Sequence, residues 1–161
     1  MKPSDLVVTR NGARFMGHAI PCVVGRGGIG TKQGEGDNVT PVGIWNVTGF
    51  LVRPDRAYLP TANPIGLRDA WCDDPKDHRY NQMIQQNGPG DEKLRRGDPM
   101  YNIIGVLDYN TGPVIPGAGS AIFLHIWRRP AYPTAGCIAF SPTNMRWIAE
   151  NWMDGQVIIR G

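Results

Sequence analysis

The sequence predicts a mainly β domain, a curved mixed sheet or sandwich closed by one C-terminal helix, and three observations carry that reading. First, 21 Gly and 14 Pro among 161 residues demand many turns and discourage long helices. Second, the apolar residues gather in short, strand-length runs bounded by Gly, Pro, Asn and Asp. Third, only one stretch, close to the end, has helical spacing. An apolar fraction of 41% with 19% charged residues excludes a disordered chain, and the length suits a single domain over residues 1–161 with a continuous core.

Taken in order, Leu6 to Thr9, Arg14 to His18 and Ala19 to Val24 read as strands of a meander, with Asn11-Gly12 as the first hairpin turn. Residues 25–43 are loop-rich, and β character resumes from Gly43 to Arg53. Residues 54–100 are rich in Pro, Gly and polar side chains with weak periodicity, which predicts a long irregular insertion with one helical turn near Tyr80 to Gln86. Loops of that length usually serve function. Tyr101 to Asp108 and Ala121 to Ile126 read as core strands. Ser141 as N-cap and Pro142 at the first helical position open a helix over about 142–152, with Met145, Ile148, Ala149 and Trp152 on one face. Asp154-Gly155 ends it, and Gln156 to Arg160 forms the last strand.

The charge balance narrows the partners. A net charge of +3 with scattered Lys and Arg gives no basic run for nucleic acid. No apolar stretch approaches the roughly 18 residues of a membrane span. The opening residues, Met1 to Asp5, lack the apolar core of a secretory signal, so the protein either stays inside or has had a signal removed. The three cysteines, Cys22, Cys72 and Cys137, are an odd number without a CxxC pair, so at least one thiol stays free or pairs outside the chain.

Cys137 is the residue with the most chemical promise. It follows Gly136, which lets the backbone turn sharply and an acyl group approach closely, and the Gly136 and Cys137 amides are expected to hold a developing oxyanion. A thiol of ordinary pKa is mostly protonated at neutral pH and needs a base. His125, ending the apolar run from Ala121 to Leu124, is the expected base, because a strand terminus fixes it and the eleven intervening residues can bring Cys137 back beside it.

These residues carry a family resemblance. Ile122-Phe123-Leu124-His125 followed by Pro133-Thr134-Ala135-Gly136-Cys137-Ile138-Ala139 resembles the catalytic signature of YkuD-type L,D-transpeptidases. The segment from Gly34 to Gly43 resembles that family's "GDxxTPxG" block, and Trp71 to Pro75 with Tyr80-Asn81 resembles one bacterial branch. Many members carry Ser-His-Gly-Cys where this chain has Thr134-Ala135-Gly136-Cys137, so their substrate contacts are not carried over.

The resemblance implies a β-rich fold and an acyl transfer. Cys137 would attack the third-residue carbonyl of a donor tetrapeptide stem of peptidoglycan and release D-Ala, and His125 would serve the acceptor amine. No metal or organic cofactor is implied. The working compartment would be the periplasm or cell wall, where Cys22 and Cys72 would either pair or remain separate buried thiols. The 54–100 insertion is the expected wall of the acceptor groove. Trp71, Tyr80 and Tyr132 are expected against stem or sugar, with Thr134 beside the nucleophile. Asp73 or Asp74 is expected at an ammonium, and Arg128 or Arg129 at a carboxylate.

Four rival readings are weaker, and a fifth, L,D-carboxypeptidase or endopeptidase action by the same residues, stays open. Gly25-Arg26-Gly27-Gly28-Ile29-Gly30 satisfies the dinucleotide GxGxxG pattern but runs into further turn residues instead of a helix. Cys72, His78, His125 and Cys137 offer zinc-type ligands at irregular spacing. A papain-like protease has its cysteine before its histidine, the reverse of the order here. A silent wall-binding module would have no need of both His125 and Cys137, while a hydrolase using water as acceptor would share every catalytic residue.

Overall fold

A computed structural model describes residues 1–85 and 91–161. The chain opens with three antiparallel strands, β1 (Leu6–Thr9), β2 (Gly12–Phe15) and β3 (His18–Ile20). The first turn lies at Arg10-Asn11, one residue earlier than expected, because Thr9 pairs with Gly12 and its hydroxyl donates to the Gly12 carbonyl at 3.1 Å. The expected strand from Arg14 to His18 is broken at Met16-Gly17. Both residues have positive φ (47° and 81°), as a type I′ hairpin turn requires. The expected strand from Ala19 to Val24 is broken at Pro21, which has no N–H to give a ladder, so β4 (Cys22–Val23) leaves for another part of the sheet.

Further along lie β5 (Ile29–Gly30), β6 (Thr40–Pro41), β7 (Gly43–Val52), β8 (Asn63–Pro64), β9 (Asp69–Trp71), β10 (Met83–Gln85), β11 (Glu92–Lys93) and β12 (Ile103–Leu107). The chain ends with β13 (Phe123–Ile126), β14 (Ile138–Phe140), α1 (Pro142–Glu150) and β15 (Gln156–Ile159). The main sheet runs β3-β2-β1-β15-β7-β12-β13-β14-β4. It is mixed, with β1 parallel to β15 and β13 parallel to β14. Its spine, β7, pairs with β15 through its first half and with β12 through its second. Since only Pro21 separates the two edge strands β3 and β4 in the chain, the sheet curves until it nearly closes.

The concave side holds the larger core, where Leu6, Val8, Phe15, Leu124, Ile126, Ile138, Phe140 and Val157 meet Met145, Ile148 and Ala149 of α1. Each such side chain contributes on the order of 2 kcal/mol by leaving water. The helix starts as expected, with Ser141 Oγ accepting the Asn144 N–H at 3.1 Å and Pro142 in the first turn. It stops at Glu150, two residues short of the expected limit, because the Asn151 side chain bonds the Trp147 carbonyl at 2.8 Å and caps the last turn. Trp152, beyond the helix, stacks on Phe15 at 5.8 Å.

The 54–100 insertion covers the opposite face and is more ordered than expected, for it contains a small sheet, β10-β9-β11. The helical turn expected near Tyr80 to Gln86 is absent over its described part: a turn at Tyr80-Asn81 leads into β10, whose Met83, Ile84 and Gln85 alternate exposed, buried, exposed. Gln86 lies outside the described residues. Ile65, Trp71 and Leu94 of the insertion pack on Leu51, Ile104, Val106 and Phe123 of the sheet. β12 is therefore buried on both faces.

Candidate active site

Cys137 directly precedes β14, and the strand register decides what it meets. Leu124 lies opposite Ile138 and His125 opposite Ala139, which brings Cys137 level with Phe123. Side chains alternate along a strand, so Phe123 and His125 share the face under the insertion while Leu124 and Ile126 point into the concave core. The Phe123 N–H donates to Cys137 Sγ at 3.4 Å, and the thiol donates to the Ala121 carbonyl at 3.1 Å. Cys137 and His125 line one cavity of about 270 Å³ with Arg26, Arg96, Tyr101 and Arg128. A second cavity of about 340 Å³ shares Cys137, Glu92, Tyr101 and Ala135 with the first and extends to Lys32, Glu35 and Asp73. The sulfur thus sits where two cavities meet.

His125 is buried, with Nδ1 2.8 Å from the Ile126 carbonyl. A carbonyl only accepts, so Nδ1 carries the ring proton and Nε2 keeps its lone pair. The Tyr101 ring stands edge-on to the imidazole at 5.4 Å, and its hydroxyl donates to Glu92 at 3.0 Å. Burial pulls the His125 pKa down to about 4, opposed by the Ile126 carbonyl. Burial likewise pushes the Cys137 thiol up to about 12, opposed by the Phe123 N–H. At neutral pH both groups are uncharged at rest, and the thiol proton lies on Ala121 instead of on the imidazole.

Two separate segments hold this cysteine. On one side the Gly136 N–H donates to Thr134 Oγ1 at 3.1 Å, and that hydroxyl donates to the Cys137 carbonyl at 2.6 Å. On the other side Ala121 has a φ of 52°, a left-handed conformation rare outside glycine. Asn81 of the insertion holds it there: Asn81 Oδ1 accepts the Ala121 N–H at 3.1 Å and the Trp71 indole N–H at 2.9 Å. The Asn81 amide nitrogen donates to the Tyr109 and Asn110 carbonyls at 3.0 and 2.8 Å. Tyr80 adds a brace, its hydroxyl donating to Glu35 and accepting the Gly119 N–H at 3.0 Å.

A match to the family described as YkuD, L,D-transpeptidase catalytic domain, spans residues 2–159. The chain belongs to the YkuD family. No curated protein and no solved structure matches it. In this YkuD domain Arg128, Tyr132 and Thr134 line the His125 cavity, where the Arg128 and Arg129 guanidinium groups lie 5.2 and 4.9 Å from the Tyr132 ring centre. Asp73 lines the second cavity, with its pKa raised by burial and by the neighbouring Glu92 and Glu35. Asp74 instead caps the Lys76 N–H at the exposed surface.

Trp71 and Tyr80 depart from expectation, since both are buried and neither lines either of the two cavities at Cys137. Trp71 packs edge-on to Phe123 at 5.1 Å, and both residues support the segment that holds the thiol. Sequence reasoning missed Tyr101, Glu92, Lys32 and Glu35. Tyr101 reads as the start of a core strand, and the three charged residues sit in loop-like segments where solvated side chains are the rule.

The rival ligand sets do not assemble. The Gly25 to Gly30 segment leads into β5, not into a helix. Gly25 is needed because a Cβ there would lie 2.1 Å from the Asn38 carbonyl oxygen. His78 is exposed beside Asp77, Cys72 packs with Ala70 and Ile84, and Cys22 packs against the concave core, so the cysteines are separate thiols. Among the described residues, no three His, Cys, Asp or Glu side chains group as metal ligands, and no helix is long and apolar enough to cross a membrane.

Proposed function

We propose that this YkuD domain is a peptidoglycan L,D-transpeptidase of the periplasm or cell wall, with Cys137 as nucleophile and His125 as its base. The observation that carries the reading is the sulfur at the junction of two cavities, one of them shared with a histidine whose Nε2 is unprotonated. A transferase needs two substrates at one nucleophile, and the two cavities differ in charge. Arg26 and Arg128 on the first suit stem carboxylates, Arg96 there being paired with Asp98 at 2.7 Å. Glu35 and Asp73, which line the second alone, suit an acceptor ammonium, since Lys32 there is already neutralised by Asp37 at 2.5 Å.

In the first half-reaction His125 Nε2 takes the Cys137 proton as the sulfur attacks the third-residue carbonyl of the donor stem. The imidazolium then gives that proton to the D-Ala nitrogen as the C–N bond breaks, leaving a thioester. In the second, the acceptor amine attacks the thioester carbonyl, His125 removes its proton, and the proton returns to sulfur as the C–S bond breaks. Because both groups are neutral at rest, deprotonation accompanies attack and does not precede it. The Cys137 N–H is the expected oxyanion donor, as the Gly136 N–H is engaged by Thr134.

The test is product analysis after incubation with disaccharide-tetrapeptide muropeptides. Wild type is expected to release D-Ala and form a cross-linked dimer, and Cys137→Ala to do neither. Cross-linking retained by the variant would overturn the nucleophile assignment, and D-Ala release without dimer would replace transfer by hydrolysis.

A further inference from the structure

Behind the nucleophile turn stands a buried hydroxyl from a distant part of the chain. Thr40 has no exposed surface, and its Oγ1 accepts the Gly25 N–H and donates to the Gly136 carbonyl, each at 2.8 Å. We propose that Thr40 is a positioning residue that aims the Cys137 N–H as an oxyanion donor. This inference rests on the reading of Cys137 as an acyl-accepting nucleophile.

Peptide planarity ties the Gly136 carbonyl to the Cys137 N–H. In a trans peptide the C=O and the following N–H point in opposite directions, so fixing the Gly136 oxygen fixes the Cys137 N–H. With the Gly136 carbonyl held on the Thr40 side, the Cys137 N–H is turned away from that wall. Among the described residues this N–H meets no protein acceptor, whereas the Gly136 N–H is taken by Thr134. The direction of the Thr40 proton is also settled, because Gly25 supplies a donor and the Gly136 carbonyl can only accept.

The constraint matters because Gly136 has a φ of 139°, and glycine can swing its peptide plane at little cost. Thr40 is itself held, its N–H donating to the Gly28 carbonyl at 2.9 Å within the β5–β6 pair. Just ahead of it, Asp37 accepts the N–H groups of Gln33 and Val39 at 2.7 and 2.9 Å and pairs with buried Lys32. The Gly34 to Gly43 block thereby delivers one hydroxyl to the back of a turn 96 residues later.

Two reactions of the same sulfur separate aiming from mere support. Alkylation by iodoacetamide occurs at a saturated carbon and develops no oxyanion, while acylation by a donor tetrapeptide muropeptide does. Thr40→Val is expected to slow single-turnover D-Ala release by about 10²- to 10³-fold, the usual cost of one lost oxyanion donor, and to leave Cys137 alkylation within about threefold. Thr40→Ser, which keeps the hydroxyl, is expected to restore acylation to near wild type. Should Thr40→Val fail to fold, as its melting temperature would reveal, Thr40→Ala is read in the same way. Parallel loss of both reactions, or loss of neither, overturns the role of Thr40. Wild type that alkylates but releases no D-Ala overturns the underlying enzyme reading instead.

Discussion

Alkylation of Cys137 as a function of pH reads the resting protonation state of its thiol directly. Burial lifts its thiol from 9.0 to about 12, so at any pH well below 9 the thiolate is about a thousandfold scarcer than for an ordinary cysteine. The neighbouring imidazole offers no relief at rest, because its own pKa has fallen to about 4 and the thiol proton rests on the Ala121 carbonyl. Iodoacetamide labelling of Cys137, followed by peptide mass mapping to separate it from Cys22 and Cys72, should therefore accelerate about tenfold per pH unit from roughly pH 6 to 10 without a plateau. His125→Ala should leave that profile within about threefold while slowing acylation by roughly 10²- to 10⁴-fold, since in the proposed mechanism the base works only when substrate is attacked. A plateau beginning near neutrality, abolished in His125→Ala, would reveal a standing thiolate–imidazolium pair and refute the argument.

Two further predictions concern stability. An unfolded imidazole takes its proton near 6.5 and buried His125 only near 4, so the stability fully present above pH 6.5 is lost as pH falls through 4, by about 3 kcal/mol. His125→Gln should lack that share of the acid slope in urea unfolding at pH 7 and pH 4, and an identical slope in the two proteins would disprove the assignment. Asn81→Gly keeps a residue suited to φ 58° but removes the amide that four partners share. It should cost about 2–4 kcal/mol in the same assay and slow D-Ala release, and a loss below about 1 kcal/mol would show that water replaces the amide.

The architecture was legible where one physical signal dominates. Ser141-Pro142 fixed the start of α1, and the apolar runs at Ile103 to Leu107 and Phe123 to Ile126 announced strands because burial on one or both faces overrides weaker preferences. Turns were harder. Met16 gave no warning that it would adopt positive φ, and Pro21 was read as lying within a strand when it separates two. At the site, His125 and Cys137 stand out as candidates because few residue types can act as base or nucleophile, and the fold brings both to one cavity. The residues around them were not legible: Trp71 and Tyr80 have the composition of a binding wall, and only three-dimensional packing reveals that they support Asn81 and Gly119 instead.

That substitution of roles changes how the long insertion should be understood. A wall needs only to stand beside the substrate, whereas here the insertion reaches the Cys137 thiol through two bonds in series, Asn81 to the Ala121 N–H and the Ala121 carbonyl to the thiol proton. Thr40 and Thr134 reach the same cysteine from the opposite direction through its backbone. Packing alone does not require both, but the proposed mechanism does, in which a half-buried thiol releases its proton only during attack. Its sulfur needs an acceptor that can be given up, supplied by a strained carbonyl, and its amide needs a direction that cannot.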